Sequence, residues 1–112
     1  MYKYRAKMIR IIDGDTIEAL IDLGFEIAIR KTIRLHGINA PETRGGLKKE
    51  KEAGLRCKAR LKELLEASNG DFTLISHGVG KFGRCLGDLY IKEGEASLNQ
   101  QLINEGLAEK YE

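Results

Sequence analysis

FEIAIRKTIRLHGINAPET, residues Phe25 to Thr43, is the stretch on which the fold turns. Its first half alternates. Phe25, Ile27, Ile29, Ile33 and Leu35 fall on one face, and Glu26, Ala28, Arg30, Thr32, Arg34 and His36 on the other. That is the period-two pattern of a half-buried strand. Lys31 interrupts the apolar face, which a bulge or the open end of a barrel accommodates. The second half ends in Pro41, the single proline of the chain. Proline fixes its own φ and drives the preceding residue, Ala40, into an extended conformation. The chain therefore leaves the strand in a stiff direction, with Asn39 and Glu42 held on the exit and Arg34 on the polar face leading into it. A loop of this kind on a rigid scaffold suits side chains that perform chemistry.

Upstream, Tyr4 to Ile12 mixes apolar and basic residues and reads as a strand. Asp13-Gly14-Asp15-Thr16 supplies a hairpin turn. Ile17, Ala19, Ile21 and Leu23 then alternate with polar residues, Leu20 being the exception, and Gly24 marks the next turn. Downstream, Arg44-Gly45-Gly46 is loop. From Lys48 to Ala67 the period becomes helical, with Ala53, Cys57, Leu61, Leu64 and Leu65 on one stripe. Ser68-Asn69-Gly70 ends this helix. Phe72 to Ser76 reads as a short strand, His77 to Arg84 as a glycine-rich basic loop, and Cys85 to Ile91 as a fifth strand. Ser97 opens a short helix in capping-box form, with Leu98, Leu102 and Ile103 facing inward and Gly106 stopping it. Three strands, a helix, two strands and a helix suit an α+β fold: a small five-stranded OB-type barrel with two flanking helices. One domain over residues 1–112 is expected from the length.

Charged residues make up 32% of the chain, yet the formal net charge is only +2. A nucleic-acid partner must therefore be argued from where the charges cluster. Cys57 and Cys85 are too few for a disulfide framework or a zinc site, and both read as packing residues. His36 and His77 lack metal-ligand spacing and read as a strand and a loop residue. No apolar run reaches the length of a membrane span, so no membrane partner is expected. The start, MYKYRAK, has no signal-peptide core. A cytoplasmic protein is expected if the chain is complete, and a secreted one if a leader has been removed.

Three polar clusters stand at strand ends: Asp13-Gly14-Asp15, Arg34 with Asn39 and Glu42, and Lys81 with Arg84. Each alone is ordinary. Asp-Gly-Asp is a common turn, and Glu42 or Lys81 in a loop is commonly solvated. Together they have a chemical logic. Carboxylates and amide or carbonyl oxygens are the hard ligands that calcium takes. Two arginines can fork onto the oxygens of one phosphate. A further carboxylate can orient or deprotonate water. Those are the parts of phosphodiester hydrolysis.

With these residues in view, the chain resembles a staphylococcal nuclease (thermonuclease) domain. The resemblance rests on Ile11-Ile12-Asp13-Gly14-Asp15-Thr16, on Arg34-Leu35 with Pro41-Glu42-Thr43, on Lys81-Phe82-Gly83-Arg84, and on Asn99 with Gly106-Leu107-Ala108. The four pieces come in family order and span nearly the whole chain. The family fold is an OB barrel with flanking helices, as the element order suggests. The resemblance implies Asp15 as a calcium ligand, with Asn39 and the backbone carbonyl of Ala40 completing the site. It implies Arg34 and Arg84 as the phosphate-binding arginines and Glu42 as the residue that activates water. Lys81, Phe82 and Tyr111 are implied as substrate contacts. Two departures matter. Asn39 stands where the type member has a second metal-binding aspartate, which implies weaker calcium binding. Phe82 stands where it has a tyrosine, keeping the stacking face and losing the hydroxyl. The chain as given also stops soon after Gly106, short of the family's terminal helix.

The expected function is a calcium-dependent nuclease acting as a monomer on single-stranded or frayed DNA and on RNA, leaving 3′-phosphate ends. The alternative from another class is a nuclease-like module that binds nucleic acid or a protein without catalysis. Such modules lose the acidic ligands or the arginines, whereas Asp15, Arg34, Glu42 and Arg84 are all present.

Overall fold

A computed structural model of the chain describes residues 2–44 and 46–111. Gly45, read above as part of the loop after Thr43, lies outside the described residues. Strands β1 (Tyr2–Asp13), β2 (Thr16–Gly24) and β3 (Ile27–Leu35) form an antiparallel meander. A two-residue strand β4 (Ile38–Asn39), helix α1 (Lys48–Glu66) and strand β5 (Asp71–Val79) follow. A short 3-10 turn over Lys81–Gly83 leads to β6 (Cys85–Tyr90), then helix α2 (Leu98–Asn104) and strand β7 (Glu109–Lys110). The barrel closes in the order β1-β2-β3-β6-β5, and β4 pairs with β7 in a separate two-stranded ribbon. The expected α+β architecture, a closed five-stranded OB-type barrel with two helices, is what the chain adopts.

The barrel interior is filled by Ile17, Ala19 and Ile21 from β2, Ile33 and Leu35 from β3, Phe72 and Leu74 from β5, and Leu89 from β6. Helix α1 covers one end with Cys57, Leu61 and Leu65, and α2 adds Leu98 and Leu102. Burying each large aliphatic side chain contributes about 1.5–3 kcal/mol. The Ser97 hydroxyl accepts the Gln100 N–H at 3.1 Å and caps α2 as its sequence indicated.

Three local readings need correction. The β2–β3 turn falls on Phe25-Glu26, which both have positive φ (55° and 63°), a mirror-image two-residue turn that matches the strand twist. Phe25 is consequently 96% exposed, and of the alternating apolar set only Ile33 and Leu35 are fully buried. The outer half of the hairpin projects past the core. Strand β5 runs on through His77 to Val79, so His77 is a strand residue. Lys31 is exposed, and the β2–β3 ladder passes through it without a bulge.

Candidate nucleic-acid site

The floor of the site is the Gly14-Asp15 turn between β1 and β2. A Cβ on Gly14 would run into Cys57 of α1, so only glycine lets the turn sit on the helix. That contact leaves Asp15 8% exposed. A buried carboxylate needs partners, and it has them. Its Oδ2 accepts the Ala40 N–H at 2.8 Å, its Oδ1 accepts the Thr16 hydroxyl at 3.0 Å, and Arg34 Nη2 lies 3.5 Å from Oδ2. The main chain joins in: Leu35 N–H donates to the Asp15 carbonyl at 2.8 Å. The hairpin turn and the exit from β3 are thereby clasped together.

Arg34, at the end of β3, is held in a fixed pose. Nη1 donates to the Leu35 carbonyl at 2.9 Å, and Nη2 donates to Asn39 Oδ1 at 3.4 Å while facing Asp15. Two oxygens, one from Asp15 and one from Asn39, converge on this nitrogen. The guanidinium acts as a stand-in ion and marks a point that favours positive charge. In kind, a carboxylate and an amide carbonyl fit a hard, oxygen-preferring cation such as calcium. They bring one negative charge. Among the described residues, no group of three His, Cys, Asp or Glu side chains is arranged to hold a metal.

Arg84 enters from the neighbouring strand. β6 runs parallel to β3, with Ile33 paired to Cys85 and Arg34 to Leu86, so the residue just before β6 stands beside the end of β3. Arg84 lies over the Phe82 ring, 5.8 Å from its centroid. Phe82 has a positive φ of 62° within the 3-10 turn and is 92% exposed. A cleft of about 870 Å³ opens between these elements, lined by Arg34, Asn39, Lys81, Arg84, Lys110 and Tyr111 among others. Among the described residues, no acidic side chain lines it. A protein of nearly balanced charge thus concentrates cations in one concave place, where their potentials add.

Glu42 lies next door. A second cleft of about 410 Å³ is lined by Asn39, Ala40, Glu42, Glu50 and Glu109 among others, and the two clefts share Asn39. Two contacts hold the Pro41-Glu42 loop. The Thr43 hydroxyl donates to Asp13 Oδ1 at 2.6 Å. Gly54 of α1 packs so closely that an added Cβ would stand 2.5 Å from the Glu42 carbonyl oxygen and 2.6 Å from that of Pro41.

Of the residues singled out from sequence, Asp15 contacts Arg34 and the Ala40 N–H, and Arg34 contacts Asn39. Lys81, Arg84 and Tyr111 share the cationic cleft, Glu42 borders it across Asn39, and Phe82 stands beside Arg84. Lys110 and His36 also line the cleft and were not foreseen. β7 brings Lys110 in, through a two-residue pairing too short to leave a pattern. Behind the floor, Cys57 is fully buried. Burial first, and then the Asp15 charge, push its thiol from 9.0 up to about 11, which fits a packing role.

Comparison with known proteins agrees with this architecture. A family model described as "Staphylococcal nuclease homologue" matches residues 32–112. A micrococcal nuclease of Shigella flexneri is 32% identical over 117 residues, covering 96% of this chain and 59% of that protein. The chain therefore spans somewhat over half the length of that relative. By its sequence match and its barrel, the chain belongs to the family of staphylococcal nuclease homologues.

Proposed function

We propose that this domain hydrolyses phosphodiester bonds in nucleic acid, as a calcium-dependent nuclease acting on single-stranded or frayed DNA and on RNA. The observation that carries the reading is the cleft: Arg34, Arg84 and Lys81 line one concavity that, among the described residues, has no carboxylate in its lining, and Arg34 rests against the oxygens of Asp15 and Asn39. Paired guanidiniums can grip both non-bridging oxygens of one phosphate and stabilise the added negative charge of the transition state. Asp15, Asn39 and the Ala40 carbonyl would hold calcium, which supplies further neutralisation of the phosphate. Glu42, across Asn39 from the arginines, orients a water and takes its proton as the oxygen bonds to phosphorus. The bond to the 5′ oxygen breaks, and that oxygen gains a proton beside Arg84, leaving a 3′-phosphate and a 5′-hydroxyl. The exposed rings of Phe82 and Tyr111 offer stacking faces that do not discriminate between sugars, which favours unpaired bases of either nucleic acid.

One observation favours a second reading, in which the domain binds nucleic acid without cutting it. Among the described residues, Asp15 brings the one carboxylate to the point where its oxygen and that of Asn39 converge, and Arg34 already faces it. Digestion of denatured DNA separates the two. Hydrolysis in calcium that stops in EDTA, and that falls about 100-fold or more in Glu42→Gln and Arg84→Ala, is the expected result. Cutting that persists in EDTA, or proceeds at full rate in both variants, overturns the assigned roles. Binding with no cutting in calcium establishes the second reading.

A further inference from the structure

Two histidines that sequence spacing dismissed meet on the barrel wall. The main-chain N–H of His36 donates to the Gly87 carbonyl at 2.9 Å, which carries the β3–β6 pairing one residue past Leu35 and sets His36 beside Asp88. On the other side of β6, Ser76 pairs with Gly87 and Gly78 with Leu86, so His77 is the extra residue of a bulge. A bulge re-aims the side chain it carries. His77 lies under His36, ring on ring, with centroids 4.1 Å apart and planes 16° from parallel. His77 Nε2 lies 2.9 Å from Asp88 Oδ2. Asn99, 4% exposed, ties the group to the core by donating to the His36 carbonyl at 2.8 Å, the Gly87 carbonyl at 3.1 Å and Asp88 Oδ1 at 3.3 Å.

We propose that His36 is a further phosphate-contacting residue of the cationic cleft, held in place by its stack on His77 and engaged when its own imidazole is protonated. The proposal rests on the nucleic-acid reading above. His36 is exposed and lines the cleft with Arg34, Lys81 and Arg84. The charged and titratable groups around it are His77 on β5, Asp88 on β6, Arg34 on β3, Lys81 and Arg84 on the turn before β6, and Lys110 and Tyr111 at the β7 end. Asp88 is the one carboxylate in that set, and it faces His77. Asp88 Oδ2 contacts His77 Nε2 on the far side of the stack from the cleft lining. Among the described residues, the charged side chains that line the cleft with His36 are all cations, and a phosphate drawn in by them accepts a hydrogen bond from the imidazolium. Histidine is the side chain whose charge changes between about pH 5 and pH 8.

The test measures equilibrium binding of a fluorescently labelled single-stranded deoxyoligonucleotide in EDTA, where no cutting occurs, at about pH 5.5 and about pH 8. The wild-type chain is expected to bind about fivefold more tightly at the lower pH, the effect of one exposed ion pair. Its logarithmic salt dependence should steepen there by about 0.7, the increment for one more phosphate contact on a single strand. His36→Gln should lose both differences. His36→Lys should show the steeper salt dependence at both pH values. An undiminished pH effect in His36→Gln overturns the proposal and leaves the nucleic-acid reading standing. Absence of binding at either pH overturns both.

Discussion

Replacing Gly54 by alanine sets two effects of opposite sign against each other. Gly54 lies inside α1, and in an exposed helix interior the change to alanine stabilises by about 1 kcal/mol. Here the new Cβ would stand 2.5 Å from the Glu42 carbonyl oxygen, 2.6 Å from the Pro41 carbonyl oxygen and 2.8 Å from the Glu42 carbonyl carbon. All three are main-chain atoms of a loop that Pro41 stiffens, so none can rotate aside. Helix or loop must retreat by roughly 1 Å, and overpacking of this kind costs about 1–3 kcal/mol. The steric term wins, for a net loss of about 1 kcal/mol. The loop carries Glu42, the base of the proposed reaction, and a 1 Å misplacement of a catalytic group can cost about 100-fold in rate. Urea unfolding and the rate of DNA digestion check the two numbers separately. Ala59→Gly, an exposed position on the same helix, calibrates the propensity term and should lose about 1 kcal/mol at full rate. A Gly54→Ala chain that is more stable than wild type and digests at full rate refutes the reasoning.

Three other substitutions probe the surroundings of the site. The Cys57 thiol is pushed from 9.0 up to about 11 in the folded chain, so above pH 9 the unfolded state gives up its proton first. Stability should therefore be intact below pH 9 and fall by about 2 kcal/mol as pH rises to 11, and the pH dependence of the urea midpoint should be shallower in Cys57→Ala by that amount. Asn39→Asp restores a second carboxylate beside Asp15 and should tighten calcium binding about tenfold by calorimetry. Unchanged affinity removes Asn39 from the ligand set. Asn99→Ala strands the buried Leu89 N–H, which donates to Asn99 Oδ1, and takes from the Gly87 carbonyl one of its two donors, leaving the His36 N–H. It should cost about 3 kcal/mol in urea unfolding, and a loss below about 1 kcal/mol shows that water replaces the amide.

Periodicity made the barrel and its helices legible, because burial of one face writes itself into the spacing of apolar residues. Ile17, Ile33, Leu61 and Leu65 were found this way and are fully buried. Phe25 and Ile27 carry the same pattern and are exposed, since alternation records which side a residue takes and not how far the core extends. Gly54 was invisible as a contact: a missing Cβ leaves no apolar signal, yet it sets where the Glu42 loop rests. That Arg34 and Arg84 line one cleft was anticipated through family resemblance, because no local pattern announces a parallel pairing between distant strands. Lys110 and the His36–His77 stack depend on a two-residue ribbon and on a bulge, features shorter than any period.

The two arginines share a cleft because of a seam. β3 and β6 meet through Ile33 with Cys85, Arg34 with Leu86 and Leu35 with Gly87, extended by the His36 N–H to the Gly87 carbonyl, and the intervening chain includes all of α1 and β5. The hairpins β1–β2 and β2–β3 join neighbours in sequence and close small loops, whereas this seam must overcome the entropy of a long one. A chain with its meander and helix formed but the seam unzipped would hold nearly all its secondary structure and still have its cations scattered. On the proposed function, grip on a phosphate is reserved for the fully shut molecule, and its onset during refolding should coincide with amide protection at His36, whose N–H donates across the seam to Gly87, and trail behind protection of the meander.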